Sequence, residues 1–398
     1  MKRRSFANGG VLVFAAAVFM FSTIFLSCGS GDKKAPGAEP ASQRTSNENT
    51  LSSGGAEGTG DFVRLLAAKD DTLHAVYLDS GHIVHAVKKP GQAWWDKYIV
   101  NPGVSNHIAS GYIAASFDKN ETIHLIYTSP SSEWVYGYLP YGSREWKLTN
   151  IEFAEKPAVI YHTIDMTVDE WAGVHVVAGG VLRGEYVPIY LYKPEDGEWA
   201  IDKVNTQMAD LPQRGNDPSI HVIASNIYVS YGGNSDIHYA YKTIGVTGWI
   251  NEPVFRDDFK LMNREKNFTS IVVSPEKTIW IVYADNSDKK LKMAFKQNEG
   301  TWKSGEIKGV AGEALFPSFT ADSTSGMHLV YHSYKDKAFY YAYKLAGGLT
   351  WKTIKLGDSK KEGYTALAVD SKNTAHVCYV VTENKQSTLK YKKIEMAP

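Results

Sequence analysis

The sequence predicts an all-β fold, a seven-bladed β-propeller with about four antiparallel strands per blade, and three observations predict it. One phrase recurs along the chain: a strand of the type His-x-Val-Tyr, a loop, a second strand ending in Lys, a Gly-containing turn and a Trp. The first copy is His74-Ala75-Val76-Tyr77, then Val84 to Lys88, then Trp94. Aligned on the Tyr77 position, the copies give Tyr77, Tyr127, Ala178, Tyr231, Tyr283, Tyr331 and Tyr379, at intervals of 50, 51, 53, 52, 48 and 48 residues. A period near 50 with four short strands per unit marks a propeller and not a helical solenoid. A second column follows the first: Trp95, Trp146, Trp199, Trp249, Trp302 and Trp351. Lastly, the runs are rich in Val, Ile and Tyr and are split by Gly, Asn, Asp and Ser, and none after the leader keeps a helical period over three turns.

Residues 1–27 read as a leader. Lys2, Arg3 and Arg4 precede the apolar run Val11 to Leu26, whose 16 residues are short for a spanning helix. The following Ser27-Cys28-Gly29 resembles a bacterial lipobox, with Phe25 and Leu26 where Leu and a small residue are common. That resemblance implies lipidation at Cys28 and an extracytoplasmic protein held on the cell envelope (outer membrane, surface or periplasmic face). An uncleaved signal anchor is the alternative. Several acyl chains on one residue give stable attachment without a transmembrane helix. The other cysteine, Cys378, stands between Val377 and Tyr379 and reads as a small buried apolar residue. Residues 28–60 are dominated by Gly, Ser, Ala, Pro, Glu, Asn and Thr, with Leu51 the only large aliphatic, and read as a disordered tether.

Residues 61–398 then form the propeller. In the fifth copy strand A is Ile271 to Val273, strand B Trp280 to Tyr283, strand C Leu291 to Lys296, and strand D starts at Trp302. The Tyr and Trp columns are assigned to the wedge-shaped space where neighbouring sheets pack. After strand B of the seventh copy only the run Leu389 to Ile394 precedes Pro398. Blade seven therefore has three strands, or it recruits the N-terminal stretch to cover its open edge.

With 43 basic and 43 acidic residues the chain is balanced, and loss of the three basic residues of the leader leaves about −3. No basic patch argues for nucleic acid. Asp118, Asp169, Asp322 and Asp370 fall in A–B turns, where one or two carboxylates per loop suit backbone capping better than the six to eight oxygens of calcium. The column His74, His124, His175, His328 and His376 recurs once per blade, roughly 10 Å apart, too far for shared zinc ligation. These are expected to be packed or hydrogen-bonded strand residues. Neither a metal nor a cofactor is expected. The face carrying the B–C and D–A loops holds the candidate binding residues: Arg183 and Tyr186 in blade three, Arg214 and Asp217 before blade four, Arg256, Asp257 and Arg264 before blade five, and Tyr334 in blade six. Arg offers a planar fork of donors suited to carboxylates or paired sugar hydroxyls. Tyr186, Tyr334 and Trp134 are expected as exposed aromatics for a sugar face or a protein hot spot.

The repeat resembles the sialidase-type, or BNR-repeat, propellers. Their Asp-box, Ser-x-Asp-x-Gly-x-Thr-Trp, lies at the C–D turn, and Gly348-Leu349-Thr350-Trp351 is the best local match, with Gly91 and Trp94 a fainter one. Ala346 and Lys89 stand at the Asp position, the Ser is missing, and the Phe-Arg-Ile-Pro phrase of sialidases is absent. The resemblance implies the propeller fold and a degenerate structural turn, not a catalytic motif, so no catalytic residue is assigned. The resulting expectation is a membrane-anchored binding module for a glycan or a protein partner. A sialidase-like glycosidase or polysaccharide lyase, and an envelope scaffold, are the alternatives.

Overall fold

A computed structural model of the chain describes residues 43–44, 50–56, 59–101, 112–129, 133–153, 157–204, 216–233, 236–256, 268–285, 290–297, 300–310, 314–361 and 363–395. They form seven antiparallel sheets and no helix. In each sheet strands A to D (A to C in blade seven) follow chain order from the axis outward. The innermost strands are Arg64–Ala67, Ile113–Phe117, Ala158–Val168, Asn216–Ile223, Thr269–Val273, Ala314–Ala321 and Thr365–Val369. Each contacts the next and the last contacts the first, which closes the ring. The seven blades expected from the period are all present.

Blade seven is closed by the N-terminal stretch. Thr50–Ala56 pairs antiparallel with Gln386–Ile394 and supplies the fourth strand. Gln43–Arg44 adds a fifth, outer strand to blade one. The tether expected over 28–60 therefore gives up these segments to the propeller. Physical need explains the recruitment, because an unpaired edge on the C strand would leave a row of backbone donors and acceptors open. Leu51 supplies the apolar anchor: it is fully buried in one cluster with Tyr77, Trp95, Val380 and Leu389. Ser52 Oγ adds a bond to Asp79 Oδ2 at 2.6 Å. Gly60, at φ +85°, lets the chain turn into blade one where a Cβ would stand 2.9 Å from that of Leu389.

The two aromatic columns pack as expected. Tyr77, Tyr231, Tyr283 and Tyr331 are fully buried or nearly so. The Trp of one blade meets an aromatic of the preceding blade edge-on: Trp95 on Tyr391, Trp199 on Tyr136, Trp249 on Tyr190 and Trp302 on Tyr239, with centroids 5.1–5.4 Å apart. Edge-to-face contact of this kind contributes about 0.5–1.5 kcal/mol beyond area burial. Cys378 is fully buried, and burial pushes its thiol well up.

The Asp and His columns join in one repeated lock. In blades three, six and seven the His Nε2 lies 2.9, 3.1 and 3.0 Å from Oδ2 of the turn Asp (Asp169, Asp322, Asp370). Blade two has the same arrangement at 3.5 Å, between His124 and Asp118. In all four, the His Nδ1 meets a Tyr hydroxyl at 2.7–2.8 Å: Tyr136, Tyr190, Tyr341 or Tyr391. Since a carboxylate only accepts, Nε2 carries the proton and Nδ1 accepts from the Tyr O–H. Each Asp Oδ1 accepts two turn amides, such as Lys372 and Thr374 N–H at 2.9 and 2.8 Å on Asp370. That capping lets non-glycine residues hold the left-handed turn position, as Glu121, Ala172, Ser325 and Asn373 do at φ +60° to +69°.

Two outcomes follow. Leu51→Ala should cost about 2–5 kcal/mol in chemical denaturation, the range for a buried Leu losing its side chain; an unchanged midpoint would show that the N-terminal strand does not hold blade seven. The second concerns acid. Burial, partly offset by the neighbouring carboxylates, holds His328 and His376 below the ordinary 6.5. For Asp322 and Asp370, burial is outweighed by hydrogen bonds from the His and the turn amides, which leave both below 3.8. The unfolded chain therefore binds protons before the folded one. Stability should be level above pH 7, fall as pH drops below about 6.5, and fall further near 4 and below as the carboxylates protonate. Thermal melts between pH 7.5 and 4.5 test this, and a rise in melting temperature on acidification would mean that the imidazoles are cationic in the fold.

Candidate functional site

The inner strands enclose a cavity of 540 Å³ along the axis. Its lining runs from Phe62, Phe316 and Tyr364 at the loop face to Ser274, Asp322 and Ser325 at the A–B turns. Aligned by pairing register, the residues opposite the position before the Tyr column are Arg64, Ala114, Asp165, Ser219, Ser270, Ser318 and Ala366. One ring of the cavity thus gathers a guanidinium, a carboxylate and three hydroxyls, from Arg64 to Ser318, 254 residues apart in the chain.

Arg64 donates from Nη2 to the Ile164 carbonyl at 2.8 Å and from Nη1 to the Val63 carbonyl at 3.2 Å. Burial draws its pKa down, while Asp165 and then Tyr364 oppose the shift. The guanidinium stays charged, as arginine does in proteins. Asp165 Oδ2 accepts from Ser219 Oγ at 2.9 Å and from Ile220 N–H at 3.0 Å, tying blade three to blade four. Ser219 Oγ in turn accepts from Ile271 N–H of blade five at 3.3 Å. One turn of strand deeper lies His221, which burial lowers to about 4, leaving a neutral imidazole at pH 7.

Two residues before that ring the strands carry Phe62, Tyr112, Asp217, Phe268, Phe316 and Tyr364. Five of these rings form a continuous arc: Tyr112 to Phe62 at 5.5 Å, Phe62 to Tyr364 at 4.4 Å, Tyr364 to Phe316 at 5.2 Å and Phe316 to Phe268 at 4.4 Å. The backbone bends to place them. Asp217-Pro218 and Phe316-Pro317 interrupt the ladder as bulges, since Pro has no N–H to pair. Asp217, Phe316 and Phe62 lie at φ +44°, +54° and +57°, a region that bulky residues rarely occupy. The next blade clamps two of them: Thr269 Oγ1 donates to the Asp217 carbonyl at 3.0 Å and Thr365 Oγ1 to the Phe316 carbonyl at 2.8 Å. Strain held this way concentrates at functional sites. Burial pushes Tyr112 up to about 12 and Tyr364 higher, and the Asp217 carboxylate adds to both shifts.

The predicted binding residues divide between places. Asp217 shares the strand level of the arc and is only 2% exposed, a buried strand residue and not a loop acid. Arg183 and Gly184, at φ +55° and +75°, form the two-residue turn that ends strands B and C of blade three, with Tyr186 46% exposed beside it. Tyr334, 54% exposed, lies in the matching loop of blade six. Arg256 ends strand D of blade four, where its backbone stands opposite Asp236 in the strand register. Arg214, Asp257, Arg264 and Cys28 lie outside the described residues. Trp134, expected to be exposed, is 1% exposed in the core of blades two and three, because it heads strand C and faces Phe153. Sequence inspection missed Arg64, Asp165 and Tyr364, which share no local motif; the signal that would have found them is the repeat alignment itself.

No family model matches the chain, and no curated protein matches it. Solved structures do. The BP39L lectin from Burkholderia pseudomallei superposes with a TM-score of 0.60 at 12% identity, over 84% of this chain and 100% of the lectin. A polysaccharide lyase of family PL25, an ulvan lyase bound to -[GlcA(1-4)Rha3S]-, gives 0.55 at 11% identity, over 85% of this chain and 95% of the lyase. The Hadza microbial sialidase Hz136 gives 0.47 at 12% identity, over 85% of this chain and 66% of the sialidase. At these identities the likeness is one of fold, the seven-bladed propeller described above.

Proposed function

We propose that this chain is a glycan-binding propeller, carried on the bacterial cell envelope by a lipid on Cys28, that takes its ligand at the loop-face mouth of the axial cavity. The observation that carries the reading is the pairing of an aromatic arc with a polar ring directly beneath it. Aromatic faces stack on the apolar faces of sugar rings, and a guanidinium, a carboxylate and serine hydroxyls offer the mixed donors and acceptors that hydroxyls need. The volume of 540 Å³ falls within the usual range for ligand sites. Structural likeness to a lectin and to a polysaccharide lyase supports a sugar over other ligands. The leader and its Ser27-Cys28-Gly29 support the anchor.

A polysaccharide-cleaving activity in the same cavity is the second reading. It is favoured by the convergence of Arg64, Asp165, His221 and Tyr364 at the axis, since clustered groups of this kind mark catalytic sites.

The test is a glycan array, with neutral, sialylated and uronate-bearing glycans, probed with the propeller unit. Ser270→Leu fills the cavity from an inner strand and is expected to weaken binding at least about tenfold, or ~1.4 kcal/mol, with little change in melting temperature. A blank array, or binding indifferent to Ser270→Leu, sinks the axial site; release of new sugar ends during incubation would favour the lyase or hydrolase.

A further inference from the structure

The Asp–His–Tyr lock is broken in blade one, and the break opens a groove. The A–B turn there has the same backbone as the others: Ala68 N–H donates to the Thr72 carbonyl and Asp71 N–H to the Ala68 carbonyl, both at 2.9 Å. Position 68, six residues before His74, is therefore the place of Asp118, Asp169, Asp322 and Asp370, and it holds Ala. Position 85 pairs with Val76, two residues beyond His74. It is the place of Tyr136, Tyr190, Tyr341 and Tyr391, and it holds His. Blade one thus lacks both the carboxylate and the phenol.

The rings of His74 and His85 meet instead edge to edge, Nδ1 to Nε2 at 2.9 Å, nearly coplanar at 13° with centroids 5.2 Å apart. A groove of 350 Å³ opens beside them between blades one and two, on the turn face, away from the aromatic mouth; Ala68, His74 and His85 line it. Tyr141, 65% exposed, lines it from blade two.

The chemistry selects the occupant. Burial holds His74 at about 4 and His85 well below its ordinary value, so both rings are neutral at pH 7. One ring donates to the other and neither makes another hydrogen bond among the described residues. Whichever tautomer is present, the two remaining nitrogens are one N–H and one lone pair. A carboxylate can only accept and an ammonium can only donate, whereas hydroxyls do both. The charges around them are mixed, with Asp70, Asp96 and Glu121 against Lys89 and Arg144, so a charged ligand of either sign meets a like charge.

We propose that this groove is a second binding site, for a neutral pyranose, whose hydroxyls meet His74 Nε2, in the place vacated by the aspartate, and His85 Nδ1, and whose apolar face lies on Tyr141. It does not depend on the axial site.

The test restores the lock. Ala68→Asp with His85→Tyr puts back what four other blades carry, so the double variant should melt at or above the parent temperature. The probes are methyl glucoside, galactoside and mannoside at millimolar concentration, followed through the ring nitrogen resonances of His74 and His85. Saturable shifts are expected in the full chain and in Ser270→Leu. They should weaken at least tenfold in the double variant, judged there on Tyr141, and several-fold in Tyr141→Ala, a surface change that leaves folding intact. No shift with any hexoside, binding undiminished in both variants, or equal shifts with acetate would overturn the proposal. Failure of the axial reading alone would appear differently, as a loss of array binding sensitivity to Ser270→Leu with the histidine shifts unchanged.

Discussion

The structure depends on a neutral imidazole held between two partners. A buried histidine is costly to charge and costly to leave unsatisfied. Here the turn aspartate accepts a hydrogen bond from Nε2–H and a tyrosine hydroxyl donates to Nδ1, so both nitrogens are paired in one tautomer. The aspartate also caps the A–B turn, which fixes the inner hairpin. The tyrosine also packs against a Trp of the following blade, as Tyr190 does on Trp249. One unit therefore sets the turn, the hairpin and the seam between blades. Repeated in blades two, three, six and seven, it helps a ring of small cores replace the single large core that a chain of this size would otherwise need.

A ring fixed at its seams tolerates irregularity at its axis. The inner strands are free to bulge at Asp217-Pro218 and Phe316-Pro317 because their partners in each blade remain paired on the other side. The threonines of the next blade then hold the displaced carbonyls. Left-handed backbone at Phe62, Asp217 and Phe316 costs of order 1–3 kcal/mol per residue, and the reward is an aromatic arc over a polar ring. The axis keeps Arg64, Asp165, His221, Ser270 and Ser318 in partly accessible positions, with Ser219 buried beside them.

Much of this was legible in the sequence, for a physical reason. Blade count, strand type and the Tyr and Trp columns follow from short-range pattern, so the period near 50 was enough to find them. Capping by the turn aspartates and the packed state of the histidines also followed from chemistry, since a column with one ligand per blade cannot gather round one ion. Closure of blade seven was left open because Thr50 to Ala56 has the composition of a linker, and only Leu51 betrays its burial. The axial site was not visible for the opposite reason. Its residues are one per blade, and each looks ordinary in its own strand, as Arg64 and Asp165 do. Loop composition drew attention to Arg183, Tyr186 and Tyr334, which the fold sets on two different blades.

Departures from the repeat carry information that the repeat does not. Loss of Asp at position 68 and Tyr at position 85 removes a buried network, and such losses are destabilising unless the seam is held by other means. It is so held here. Trp146 of blade two stands edge-on against His85, with centroids 5.6 Å apart. Lys69 bonds through its backbone N–H to Glu121 and through Nζ to the Lys119 carbonyl at 2.8 Å. On the other side Asp71 accepts from Ser371 N–H at 3.0 Å and pairs with Lys372 at 3.1 Å, tying the same turn to blade seven. The turn of blade one is thus anchored on both flanks by contacts outside the lock. Six other seams share the load of closing the ring, so the imidazoles of this one can face a groove without the propeller opening.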